Sequence, residues 1–197
     1  MARALLIHPW IHDFAAYDFW LRPLGLLRIG AILRQTGIDV DVVDCLDPLH
    51  RWFARSDGER RPLGQGRFHK EEIPKPRALA AFPRRYSRYG IPPAALQAEL
   101  RSRFLPDVIL VTSGMTYWYP GVQETISHCR EVFPDVPVVL GGIYATLAHD
   151  HAVEFSGADA VVRGGEWSTI AHTLSEYLPI RAVDALPAVR PACHARP

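Results

Sequence analysis

An open α/β fold with a parallel sheet of about five strands is what this chain predicts, and three observations carry the prediction. Short aliphatic runs recur along it, at Ala4–Ile7, Val108–Val111, Val136–Leu140 and Ala160–Val162, with a valine–aspartate run at Asp39–Val43. The last three each end in small, polar or glycine residues, and helix-compatible segments follow. Runs that do not alternate with polar residues suit strands buried on both faces. Strand, small-residue loop and helix in repetition is how an open sheet builds a ligand crevice at the carboxyl ends of its strands.

Taken in order, Ala4–Ile7 is the first strand, closed by His8-Pro9. The aromatic segment after it, Trp10–Leu21, has no clean period and leaves from the crevice end of that strand. Pro23 suits a first helical turn, where its missing N–H is no loss. Leu24, Leu27, Ala31 and Ile32 then give helical spacing, and Gly37 is a left-handed stop. Asp39–Val43 is strand two, with Asp44 at its end. An acid there can grip a ribose, yet the GxGxxG fingerprint is missing after strand one, which argues against NAD.

Between about 46 and 93 the pattern breaks into prolines, glycines and arginines. Trp52, Phe53, Phe68, Phe82, Tyr86 and Tyr89 argue against plain disorder there, because disordered linkers are poor in aromatics. Three readings stand: an insertion packed over the sheet with solvated arginines, a cap over the ligand crevice, or a docking surface for a second domain. Helical spacing resumes with Leu96, Leu100 and Phe104, then with Val122, Ile126, Cys129 and Phe133 after Pro120. A last helix from about Glu166 turns Trp167, Ile170, Leu174 and Tyr177 to the sheet. The expected organisation is an α/β domain over 1–178, with its insertion at 46–93, and a linker or tail over 179–197.

The 197 residues suffice for a sizeable core, and 48% hydrophobic with 22% charged residues is ordinary for a soluble domain. A net charge of +1 gives no argument for nucleic acid. Cys45, Cys129 and Cys193 lie far apart with no CxxC, which excludes a zinc ribbon or a self-contained iron–sulfur site and fits a reducing cytoplasm. No run reaches the roughly 20 apolar residues of a membrane span, so no membrane is expected.

Three loops carry the candidate site. Ser113, Gly114, Met115 and Thr116 follow strand three, where small hydroxyl residues and a glycine admit a ligand close to the backbone, or simply cap the next helix. Gly141, Gly142, Ile143, Tyr144 and Thr146 follow strand four, with paired glycines where a planar or phosphorylated ligand can press on the backbone. Gly164, Gly165 and Glu166 follow strand five. Three such loops on one edge point to a site. His8, His12, His149 and His151 match no zinc spacing, and His149 and His151 read as surface residues at a helix start. No GxSxG elbow is present, and Ser113 has no base evident in sequence.

The strings IHPWIHDFAAYDFWLRPLGLLRIGAILR, GRFHKEEIPKPRALAAFPRRYSRYGIPP, LVTSGMTYWYPGVQETI, VVLGGIYATL and GADAVVRGGE resemble the N-terminal cobalamin-binding domain of B12-binding radical S-adenosylmethionine proteins. The resemblance spans nearly all of Ala4–Tyr177. It implies a flavodoxin-like (Rossmann-like) fold with helices on both faces, and a groove for the corrinoid's nucleotide tail. Ser113 and Met115 would match the serine loop beside that tail, Gly141 and Gly142 the paired glycines, and Thr146 and Gly165 their neighbours.

Two departures limit what carries over. The DxHxxG motif that supplies a histidine lower ligand is missing, so cobalamin here would have none. CxxxCxxC is also missing, so no iron–sulfur cluster is expected on this chain and no cleavage of S-adenosylmethionine by it alone. A radical domain would act in trans or in a missing region, in methyl transfer or radical rearrangement, and the chain would be a fragment, a split subunit or a degenerate homologue. The alternatives are a non-catalytic interaction module of the same fold, or a binder of another nucleotide cofactor.

Overall fold

A computed structural model describes residues 1–19, 21–53 and 65–180. The expected tail beyond 180, with Cys193, and part of the insertion lie outside the described residues.

The chain runs β1 (Arg3–His8), β2 (Ile11–Asp13), α1 (Leu24–Gln35), β3 (Asp39–Asp44), β4 (Lys70–Glu72), β5 (Ser87–Tyr89), α2 (Pro93–Arg101), β6 (Val108–Val111), α3 (Tyr119–Val132), β7 (Val138–Leu140), α4 (Ile143–Leu147), α5 (His149–Phe155), β8 (Ala160–Val161) and α6 (Trp167–Leu174). β1, β3, β6, β7 and β8 form one parallel sheet in the order β3-β1-β6-β7-β8. Numbered within the sheet that is 2-1-3-4-5, the flavodoxin-like order, and its topological switch point lies between β1 and β6.

Side-chain alternation divides the core into two layers. Leu5, Ile7, Ile109 and Val111 face one side and pack with Leu96 and Leu100 of α2 and Val122, Ile126 and Cys129 of α3. Ala4, Leu6, Val108 and Leu110 face the other and pack with Leu26 and Leu33 of α1 and Ala171 and Leu174 of α6. Helices therefore cover both faces, as expected.

Of the stripe expected on α1 only Ile32 is buried. Leu24, Leu27 and Ala31 are exposed, whereas Leu26, Gly30, Ile32 and Leu33 are buried. Gly30 is the reason: a Cβ there would stand 2.7 Å from Leu6 Cδ2, so the helix lies on β1 through a position with no side chain. An apolar period cannot register that contact. Phe104 is also exposed, beyond the end of α2, with the Arg3 guanidinium 4.7 Å above its ring.

The insertion is not irregular throughout. β2, from the aperiodic segment after strand one, pairs antiparallel with β5, and β5 with β4, making a separate three-stranded sheet. A bridge between Asp18 and Gly66 ties the same segment to the insertion again. Trp10 anchors this cap: it is buried, and its Nε1 donates to Ile91 O at 2.7 Å. The arginines of the insertion are not uniformly solvated either. Arg88 is buried, stacks over the Trp10 ring at 5.2 Å, and pairs with Glu124 and with Glu71, the latter at 2.5 Å.

Candidate functional site

The carboxyl edge of the sheet carries two unlike regions. On the α1/α6 face, a groove of about 330 Å³ runs between α1 and α6. Gly25, Leu26, Arg28, Ile29 and Ile32 line it from α1, and Glu166, Trp167, Ile170 and Leu174 from α6 and the residue before it. Leu110, Val111, Thr112, Val139, Gly141, Gly142, Val162, Gly164 and Gly165 complete it from the sheet and its loops. The volume is at the lower end of ordinary small-ligand sites.

Of the residues expected to form the site, Gly141, Gly142, Gly164, Gly165 and Glu166 meet in this groove. The two glycines of the first pair have different tasks. Gly142 has φ of +95°, and a Cβ on it would crowd Ser113, at 2.6 Å from its N and 2.8 Å from its Oγ. It is glycine because two loops press together. At Gly141 a Cβ would meet nothing within 4 Å, and the same holds for Gly165 and for Gly25 on α1. None of those three has positive φ, so neither backbone nor packing demands the missing side chain. What their absence leaves is room on the groove wall.

Ser113 and Thr146 hold the loops in place and do not line the groove. Ser113 is buried; its Oγ donates to Gly141 O at 2.8 Å and accepts from Tyr144 N at 3.1 Å. Thr146 Oγ1 donates to Gly142 O at 2.8 Å and accepts from Gly164 N at 3.1 Å, which ties the second loop to the third. Their hydroxyls are engaged with the backbone of the loops.

The remaining candidates lie apart from the groove. Tyr144 is buried on α4, with its hydroxyl 2.7 Å from His151 Nδ1, and burial, then Tyr119, pushes its pKa up to about 12. Gly114 sits under the Trp118 ring, and Thr116 opens a 3-10 turn, Thr116–Trp118. Met115 and Ile143 are exposed apolar residues, as are Tyr117 and Leu147. His149 and His151 are half-buried at the start of α5, not free on the surface; His149 Nδ1 is 3.0 Å from Ala145 O.

On the α2/α3 face the cap covers the edge, and His12, Arg88 and Glu124 line a second pocket there with Lys75, Tyr86 and Pro120. His12 Nε2 lies 2.7 Å from Glu124 Oε2, and Arg88 pairs with the same carboxylate. Burial pushes Glu124 up, but the His12 hydrogen bond and the Arg88 charge outweigh it and hold the carboxyl below its ordinary range. At the switch point, His8 Nδ1 is 2.8 Å from Asp44 Oδ1, which also accepts Leu46 N at 2.9 Å. Asp44 is thus engaged within the chain. Burial raises the pKa of Cys129 to about 12 and that of Cys45 well above the ordinary thiol value, so both are packing residues.

Sequence reasoning missed Gly25, Arg28 and Ile29 as groove residues. The available signal was their shared helical face with Ile32, at i, i+3, i+4 and i+7 from Gly25. Among the described residues, no group of three or more His, Cys, Asp or Glu could hold a metal ion, and no helix is long and apolar enough to cross a membrane. No protein-family model matches the chain, and no curated protein is significantly similar to it.

Proposed function

We propose that this chain is a corrinoid-binding module that houses the nucleotide tail of cobalamin in the α1/α6 groove and serves a radical S-adenosylmethionine partner. The observation that carries the reading is the set of three glycines, Gly25, Gly141 and Gly165, which bare the groove wall where nothing in the protein needs the space. A groove at the carboxyl edge of a 2-1-3-4-5 sheet is also where ligands of such folds bind. The resemblance in the SGMTYWYPG and GGIYATL strings points the same way.

When bound, the corrinoid supplies a cobalt centre for methyl transfer or radical rearrangement. This chain's part is to bind and orient. Ser113 and Thr146 fix the loops, the glycines admit the tail, and the aliphatic walls exclude water from it. His8 and His12 are held by Asp44 and Glu124, which fits a cobalamin without a histidine lower ligand. The exposed apolar residues Met115, Tyr117, Ile143 and Leu147 favour a second reading, a non-catalytic interaction module that docks a protein at this edge.

Incubation with hydroxocobalamin, desalting and a visible spectrum separate the two. A corrinoid module leaves the column coloured and melts at a higher temperature. A colourless product with an unchanged Tm overturns the corrinoid reading. Gly141→Leu and Gly165→Leu each abolish retention while the apo Tm stays near that of the parent; retention by both variants would move the site elsewhere.

A further inference from the structure

The pocket beside the cap is built from three separate parts of the chain. β2 supplies His12, the insertion Lys75 and Arg88, and α3 Pro120 and Glu124. Its volume is about 440 Å³, within the ordinary range of small-ligand sites, and it shares no lining residue with the α1/α6 groove. The polar floor satisfies itself. His12 and Arg88 are 6% and 8% exposed and both pair with Glu124, while Arg88 also reaches Glu71 at 2.5 Å. Tyr86 Oη donates to His12 O at 3.2 Å. The walls are apolar: Ile73, Pro74, Pro76 and Pro120 line them, and the prolines have no N–H to offer a ligand.

Lys75 is the exception. Its Nζ donates to Phe82 O at 2.6 Å, and no carboxylate among the described residues pairs with it. An ammonium group has three donors, so capacity remains for a ligand. We propose that this pocket binds a small carboxylate with an apolar body, independently of any corrinoid. The carboxylate meets the half-buried Lys75, and the body packs on the isoleucine and proline walls. A monoanion is selected because Glu124 lines the same pocket and Glu71 stands beside Arg88; both repel a doubly charged phosphate more strongly. The occupant touches the cap and α3 together, so it holds one on the other and stabilises the folded chain.

The test titrates the full chain with benzoate, benzamide and inorganic phosphate, following thermal unfolding and backbone amide NMR shifts. Benzoate raises the Tm and shifts the amides of His12, Lys75 and Glu124, with a Kd of about 10 mM or tighter, as befits a ligand of its size. Benzamide, the same shape without the charge, binds at least about tenfold more weakly. Lys75→Met weakens benzoate by a similar factor and leaves the Tm without ligand near that of the parent. Lys70→Met removes an exposed ammonium that does not line the pocket, and it leaves benzoate binding unchanged. Equal binding of benzoate and benzamide, or no saturable change with either, overturns the proposal. An equal loss in the two lysine variants also overturns it, because benzoate would then follow surface charge in general. Tighter binding of phosphate than of benzoate overturns the assigned ligand class.

Discussion

The two faces of one sheet edge make opposite use of the same positions. On the α2/α3 face the chain's own cap covers the edge: Trp10 fills the interior, and Arg88 and His12 both pair with Glu124 beside a second pocket. On the α1/α6 face the edge is left open, aliphatic below and stripped of side chains at Gly25, Gly141 and Gly165. Both regions border the switch between β1 and β6, so topology alone does not say which face receives a ligand. The difference lies in what each face does with its polar groups. The capped side pairs its polar groups within the chain, His12 and Arg88 with Glu124, while the open side keeps backbone loops and unfilled apolar surface.

The largest expected effect breaks the capped side. Trp10→Ala removes a fully buried indole, its hydrogen bond to Ile91 O and the platform under Arg88. A loss of about 3–5 kcal/mol is expected from chemical denaturation, in the range for large aromatic truncations. A loss below about 1 kcal/mol would mean that the cap is not integral to the core.

Two adjacent glycines sharpen the contrast at smaller scale. Gly142→Ala forces a side chain into φ of +95° and against Ser113, and should cost about 1–3 kcal/mol. Gly141→Ala points into open space and should change stability by less than about 0.5 kcal/mol. Equal costs would show that Gly141 faces protein, and the open groove would then be misassigned.

The smallest effect is in the acid limb. Glu124 has a carboxyl held below its ordinary value of 4.5, so its ion pairs stabilise the folded chain fully above that pH. That contribution is lost as pH falls from about 4.5 through the lower folded value. Urea midpoints at pH 7, 5, 4 and 3 should therefore fall more steeply for the parent than for Glu124→Gln. Parallel curves would remove Glu124 from the clamp. Glu99, likewise held low against burial by Arg103 and Arg51, titrates in the same window and remains in both proteins.

Legibility in the sequence followed the range of the forces involved. Val108–Val111 is a strand in both readings, because a run buried on both faces needs apolar residues throughout. The stripe of α3 was equally clear, since Val122, Ile126, Cys129 and Phe133 meet the sheet through side chains. The stripe of α1 was misread because Gly30 meets Leu6 through the absence of one. β2, β4 and β5 escaped notice for a different reason. Each is three residues long, and β2 owes its existence to pairing Ile11 with Tyr89 across most of the insertion.

The same division runs through the candidate site. Local chemistry marked the loops: small residues at Ser113–Thr116, Gly141–Gly142 and Gly164–Gly165 are where strands end and backbone lies bare. By itself the sequence determined the parallel sheet, its helical layers and the edge on which a ligand would be sought, because these follow from hydrophobic period and chain stiffness within single segments. Only the tertiary structure decided which face of that edge is open, that Ser113 and Thr146 brace the loops, and that Gly25 shares a wall with Gly141 and Gly165. The shared wall arises where segments more than a hundred residues apart are brought together by the packing of α1 and α6 on the sheet, and no local pattern encodes an empty space between them.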